Sequence, residues 1–375
     1  MNINLKPKDI KHLQFSQTLE KEFTQTLKRR VNLYFKLNKT SKRANVSMVV
    51  KTIVMLLLYT VPIGLMCFGL ISSPLIAVLL YLVAGLGMGG IGMGIMHDAN
   101  HGAYTNKRFF SSFLSYTIDF LGCSSAMWKL QHNVLHHTYT NIHGHDEDID
   151  APMYLFRFSP YNKRYKIHRF QHLYIWPFYG ILTLYWVTAK DFLKAGDYYK
   201  KGLIQTKREY YLHILKLIPI KLLYLTYALV LPMIFAPFSP LWILLGFLVM
   251  HVFVGIVLST VFQLAHVVPN LSFPQPDENE QMNVNWYLHQ LETTSNFAPK
   301  NKLLYWYLGG LTNQIEHHLF PNICHVHYRN IGKIVERTAK EFNAPYHVNK
   351  SLFSAIGGHI KILRTLGTAE NLSIN

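Results

Sequence analysis

Charge is scarce in this chain, and acidic charge scarcest: 20 Asp and Glu stand against 37 Lys and Arg, and charged residues are only 15% of the total. Half of the residues are hydrophobic and 14% aromatic, which argues against the two or three soluble domains that 375 residues could otherwise form. Cysteine is almost missing. Cys67, Cys123 and Cys324 are too few and too scattered for a disulfide framework or a thiolate metal site, and their spread fits a reducing cytosolic face. The polar stretch up to residue 45 offers no apolar core for a cleavable signal peptide. No internal repeat and no low-complexity tract is visible.

What is present are four apolar runs close to the ~20 residues that cross a bilayer: Val49–Ser72, Leu75–Met96, Ile214–Phe235 and Leu241–Phe262. None contains an acid. Lys216 and Lys221 fall in the first turns of the third run, where snorkelling to the interface is expected. Any one run could be a buried core helix; four, paired closely in sequence, predict spans. The connectors Ser72–Pro74 and Ala236–Pro240 are too short for a folded domain, so each pair turns straight back. The expectation is an all-α membrane protein, with four transmembrane helices in two hairpins and a cytoplasmic helical cap. Residues 1–47 would form a basic leader, 48–331 the membrane domain and 332–375 a cytoplasmic C-terminal segment.

A net charge of +17 could suggest nucleic acid, but its distribution does not. Lys28, Arg29, Arg30, Lys36, Lys39, Lys42, Arg43 and Lys51 crowd at the first run, which is the positive-inside pattern and suits anionic lipid headgroups. The N-terminus, Tyr104–Tyr211 and everything after His266 are then expected on the cytoplasmic side, and the source fits a bacterial inner membrane. Phe109–Met127 carries Asp119 with serines and glycines, and Leu173–Val187 is broken by Pro177. Both are expected to be interfacial or re-entrant rather than spanning, because Trp and Tyr favour the headgroup level and an odd extra span would separate the histidine clusters. Phe273–Glu280 is the clearest loop.

Chance alone gives a chain with 20 histidines an HxxxH pair, so one pair means little. Here there are three clusters: His97-Asp-Ala-Asn-His101, His132-Asn-Val-Leu-His136-His137 and Gln314-Ile-Glu-His317-His318. Ligand types three or four apart share one face of a helix. His266, at the end of the fourth run, lies level with His97. Eight imidazoles exceed what one metal uses while keeping an open position, which suggests two metals. An imidazole-rich, carboxylate-poor pair points to redox iron rather than Mg or Ca.

The other histidines carry blander readings. His168 and His172 lie among Lys163, Arg164, Lys166 and Arg169 and read as a solvated or headgroup-facing surface. His143 and His145 precede the acidic run Asp146–Asp150, which either orients ligand imidazoles or is a solvated loop. His325 and His327 read as structural, and His289 is left undecided.

At these clusters the chain resembles the membrane fatty-acid desaturase family, whose pattern is HxxxH or HxxxxH, then HxxHH or HxxxHH, then HxxHH or QxxHH. Gln314 at the head of the third cluster resembles the front-end (delta-5/delta-6-type) and bacterial linoleoyl-CoA desaturase-like branch. The strings HNVLHHTYTNIHGHDEDID from His132, GGLTNQIEHHLFPNICHVHYRNI from Gly309 and Trp286–Phe297 add to it, over roughly Leu80 to Ile331. The resemblance implies two iron ions per chain, with His97, His101, His132, His136, His137, His266, His317 and His318 as ligands. Gln314, Gln263, Asp98, Asp146 and Asp148 are further candidates to bind metal or to orient those ligands. Where acyl-CoA delta-9 members place an asparagine four residues before the isolated histidine, this chain has Phe262, with Gln263 beside it.

The implied reaction is O2-dependent introduction of a cis double bond into a fatty-acyl chain carried on CoA or phospholipid, in a tunnel for which Trp128 and Trp186 are candidate lining. No HPGG haem motif occurs, and the leader is too short for the fused cytochrome b5 domain of many front-end members. Electrons are therefore expected from a separate ferredoxin or cytochrome b5-type carrier, steered by the basic face. Hydroxylation, acetylenation or sphingolipid desaturation on the same scaffold is the nearest alternative. A zinc-dependent membrane hydrolase or receptor, with Glu316 as general base, is a more distant one.

Overall fold

The computed structural model describes residues 13–149 and 154–369, so Asp150 of the acidic run lies outside the described residues. Among them, four helices are long and apolar enough to cross a membrane: Val46–Cys67, Pro74–Asn100, Lys207–Phe235 and Pro240–His266. Side chains just ahead of each helix occupy amide N–H groups that have no intrahelical partner. Asn45 accepts from Met48, Ser73 from Ile76, Thr206 from Glu209 and Ser239 from Leu241. The first span stops at Cys67 rather than Ser72, because Gly69 turns the chain at φ 66°. A Cβ there would lie 2.7 Å from the Phe235 carbonyl oxygen, so the turns of the two hairpins meet. The second and fourth spans run further than the apolar pattern suggested, and so carry His97 and His266 inside their last turns.

The spans pack through small residues, as helices in lipid do. A Cβ on Gly87 would come within 2.5 Å of the Tyr59 nitrogen, and one on Gly246 within 2.4 Å of the Tyr81 ring. Lys216 is exposed, but Lys221 does not snorkel. It is buried, and its Nζ donates to Asp191 Oδ2 at 2.5 Å, to the Trp186 carbonyl at 2.6 Å and to the Gly122 carbonyl at 2.8 Å. An acid and two carbonyls from neighbouring segments replace the water it would otherwise seek. Lys51 departs from the flanking-charge reading in the same way, being buried in the first span with its Nζ 3.4 Å from His325 Nε2.

The stretch 108–128 breaks into the short helices Arg108–Ser115, Thr117–Phe120 and Ser125–Trp128. It folds inward between the first and third spans, where the Tyr227 hydroxyl donates to the Phe120 carbonyl and Gly122, at φ 80°, lies under the Tyr224 ring. The second uncertain stretch is helical straight through Pro177. Gln171–Tyr185 continues through Trp186–Lys190 and Asp191–Lys200 and lies along the fourth span as far as His251, whose carbonyl accepts from Thr183 at 2.9 Å. Glycines make this possible, since a Cβ on Gly255 would come within 2.4 Å of the Gly180 carbonyl.

Over one end of the bundle sits the cap. The leader helix Lys21–Leu37 buries Phe23, Leu27, Val31 and Phe35 at helical spacing, in one cluster with Ile315, Leu319, Ile331 and Val335. The all-α expectation needs one amendment, two short parallel strand pairs. Gln14–Phe15 pairs with Gln281–Met282, and Ser295–Phe297 with His347–Asn349. The second pair bears on the site, because Asn296 Oδ1 accepts the Ile315 N–H at 2.9 Å and so anchors the helix Gln314–Leu319.

Candidate metal centre

All eight histidines come together, and all but the partly exposed His101 are buried. His97 and His101 hang from the end of the second span, and His266 from the end of the fourth. His317 and His318 belong to Gln314–Leu319, which follows a turn at Gly309 and Gly310 with φ of 63° and 71°. The second cluster is not α-helical. Lys129–His136 is a π-helix in which the His137 amide bonds to the His132 carbonyl, five residues back. A π-helical stretch, Ile91–Ile95, also precedes His97. Such stretches re-aim side chains that α geometry would stack elsewhere.

Two groups of donors result. His136, His266 and His318 form one, with ligand atoms within 4.8 Å of each other. In each, Nδ1 is held by an oxygen that can only accept: Asp146 Oδ1 at 3.0 Å, the Thr293 carbonyl at 3.2 Å and Gln290 Oε1 at 2.8 Å. The proton is thereby fixed on Nδ1. All three Nε2 atoms are buried without a protein partner, and unpartnered buried polar atoms are rare. Three lone pairs aimed into one space, each backed by a hydrogen-bond acceptor, are what a metal requires of imidazole.

The second group is His97, His101, His132 and His317, with His137 alongside. The Nε2 atoms run His97–His132 3.2 Å, His132–His137 3.2 Å and His137–His317 2.9 Å. Adjacent nitrogens on a sphere of ~2.1 Å radius stand about 3 Å apart, so one cation satisfies this crowd of lone pairs. Burial first, and neighbouring imidazoles second, hold His101, His137, His317 and His318 well below the usual histidine range. Burial brings His132 down to about 4. Neutral imidazole is the ligating form. Asp146 and Asp148 act the other way on His136, outweighing burial and raising its pKa, so a metal bound there would displace the Nε2 proton and leave the one on Nδ1.

Of the further candidates, Asp146 and Asp148 face the cluster. Asp148 Oδ2 lies 3.5 Å from His136 Nδ1 and 3.9 Å from His132 Nδ1. Glu147, between them, turns away to pair with Lys194 and Lys201. Gln263 is half-buried near Asp148, with Oε1 unpartnered, and Gln314 is buried with Nε2 unpartnered. Asp98 serves a separate network, accepting from Cys324 Sγ at 2.9 Å and His325 Nδ1 at 2.8 Å. With the Lys51 amine on the far side of His325, that trio is an ion-pair network rather than a cation site.

Glu316 is no general base. Its carboxylate is buried and taken up by Asn296, Asn313 and Tyr346 at 2.9–3.0 Å, which removes the hydrolase reading's key residue. His168 is a correction too: it is buried against the C-terminal helix at Gly367, not solvated. His289 is likewise buried, beside Phe15. Trp128 packs on His132 with ring centroids 4.5 Å apart, so it walls the metal groups. Trp186 donates to Asp191 and lies under Lys190. Gln290 and Thr293, which orient His318 and His266, were missed in the sequence; their only signal was the Trp286–Phe297 string.

Residues 72–350 match the fatty acid desaturase family. The chain is 35% identical over 94% of its length to the sn-1 linoleoyl-lipid 6-desaturase of Synechocystis sp., covering 98% of that protein. It shares the same identity over 92% of both chains with the enzyme of that name from Arthrospira platensis. Against the acyl-lipid (8-3)-desaturase of Physcomitrium patens it is 34% identical over 96% of this chain and 74% of that one. A histidine framework that could hold metal, four helices of spanning length and these matches agree: the chain belongs to the fatty acid desaturase family.

Proposed function

We propose that this protein desaturates the acyl chain of a membrane lipid at two iron ions. One would be held by His136, His266 and His318; the other by His97, His101, His132 and His317, with His137 alongside. The observation that carries this is the convergence of three unpartnered Nε2 atoms, each with its Nδ1 proton given to an oxygen. The reaction takes one hydrogen from each of two adjacent methylenes and, with O2, two electrons and two protons, yields a cis double bond and two waters. Iron at this site would supply the oxygen activation that unactivated C–H bonds demand.

The chain's own residues do the rest. Asp146, Gln290 and the Thr293 carbonyl hold the imidazole protons in place, and Trp128 with the buried wall of the site keeps water out. The relatives' names, linoleoyl-lipid 6-desaturase and acyl-lipid (8-3)-desaturase, favour an acyl-lipid over an acyl-CoA substrate. The basic residues ahead of the first span favour a cytoplasmic site in a bacterial inner membrane, with electrons from a separate carrier.

The test is expression in a host without polyunsaturated lipids, with fatty-acid profiling and metal analysis. Two irons per chain and a new double bond on glycerolipid are expected from wild type. A His318→Ala variant with an unchanged lipid profile, or one zinc in place of iron, would overturn the reading.

A further inference from the structure

This inference rests on the desaturase reading, because that reaction draws two electrons from outside. The metal groups are buried, yet one main-chain atom of the site is linked to the surface. The His137 carbonyl accepts from Trp286 Nε1 at 3.2 Å and from Gln290 Nε2 at 3.3 Å, and His137 Nε2 is itself in the ligand crowd. Trp286 is half-buried. With Tyr287 and Asn285 it forms one wall of a cleft whose other wall is the leader helix, through Lys21, Thr24 and Lys28.

Among the described residues, no acidic side chain lines that cleft. Lys21 and Lys28 are exposed, two helical turns apart on one face, and the Lys28 amine sits 4.6 Å over the Tyr287 ring. Glu20, next to Lys21, is engaged by the Asn285 amide at 3.1 Å. Glu22 and Glu292 face a neighbouring depression. Lys194 and Lys201, by contrast, are already taken up by Glu147.

We propose that this cleft is the docking site of a small acidic one-electron carrier protein, which reaches the metal ions by way of Trp286 and His137. Each reduced carrier leaves oxidised by one electron, and two such visits supply the two electrons of one turnover; no bond forms between the proteins. Positive charge at the rim fits an acidic partner and steers its approach, while an aromatic wall without acids suits close contact.

Binding of plant-type ferredoxin, and in parallel soluble cytochrome b5, to the full chain in nanodiscs tests this with or without iron. Wild-type affinity should fall as salt rises. Lys21→Glu/Lys28→Glu should weaken it at least ~10-fold and flatten the salt dependence, whereas Lys350→Glu/Lys361→Glu, at exposed positions of the C-terminal region, should not. Trp286→Phe should pass electrons to bound iron several-fold more slowly even at saturating carrier, with reduction by dithionite unchanged. Unchanged affinity in the Lys21/Lys28 variant overturns the proposal. So does a loss of binding to anionic vesicles in place of carrier, which would make the cleft a lipid contact. Wild type that dithionite reduces but neither carrier binds sinks the docking site and spares the desaturase reading. Carrier binding through the cleft to a chain that holds no reducible iron does the reverse.

Discussion

His136 Nδ1 lies 3.0 Å from Asp146 Oδ1, and the other oxygen of Asp146 accepts the Asn141 amide at 2.8 Å. The carboxylate is thus pinned by main chain, and in turn it aims the imidazole. Asp146→Asn keeps the shape but removes the charge that holds the Nδ1 proton. Loss of such a partner costs about 10–100-fold in metal affinity. Iron retained after dialysis against graded chelator measures it; wild-type retention would show that Asp146 does not orient the ligand.

Gly309→Ala should disable the third histidine cluster from a distance. The position has φ of 63°, and a Cβ would lie 2.2 Å from the Met93 carbonyl oxygen. Left-handed strain alone costs about 1–3 kcal/mol in a non-glycine residue, and the clash adds to it. A lower melting temperature in detergent together with reduced iron content is expected. A variant that matched wild type in both would mean the turn relaxes freely.

The Lys221–Asp191 pair makes a prediction about order of damage. Lys221→Met strands a buried carboxylate that the Ser124 amide and the Trp186 indole also engage. Breaking a buried pair from one side costs about 3–5 kcal/mol, while replacing both partners with apolar groups is often neutral. The double variant Lys221→Met/Asp191→Leu should therefore melt above Lys221→Met. If its loss instead equalled the sum of the two single variants, the pair would not be coupled.

His359 should contribute to acid sensitivity. It is buried, with Nδ1 donating to the Val267 carbonyl at 2.7 Å and Nε2 facing the Tyr179 hydroxyl at 2.8 Å. Burial lowers its pKa from 6.5 to about 4. The folded chain then binds fewer protons than the unfolded one between those values, so this contribution is present above pH 6.5 and is lost as pH falls towards 4. His359→Gln should flatten the fall in stability across that window by up to about 1.4 kcal/mol per pH unit. Parallel stability curves for the two proteins would contradict this.

The long apolar helices and the histidine clusters were legible in the sequence because both follow short-range rules: an apolar run long enough for a bilayer, and imidazoles a helical turn apart. What escaped was set by partners distant in the chain. Lys221 reads as a snorkelling cation until Asp191 and the Gly122 carbonyl arrive from two other segments. His168 reads as surface in its basic stretch, but the C-terminal helix covers it. Glu316 reads as a free carboxylate beside two ligands, whereas Asn296 and Tyr346 hold it from positions no local pattern points to. Gln290 orients His318 across 28 residues of chain.

The π-helical turns around His132 and His136 have a consequence for how this segment can change. A π turn is an α-helix with one residue to spare, and the surplus is stable only while its surroundings enforce it. Dropping Val134 or Leu135 would let the backbone relax into ordinary α geometry, a local gain. It would also rotate one side of the cluster by about 100° relative to the other and point its imidazoles away from the shared space. In this segment length is as restricted as composition. A conservative side-chain exchange can be absorbed here; a single-residue deletion, though helpful to the helix, takes the whole cluster out of phase.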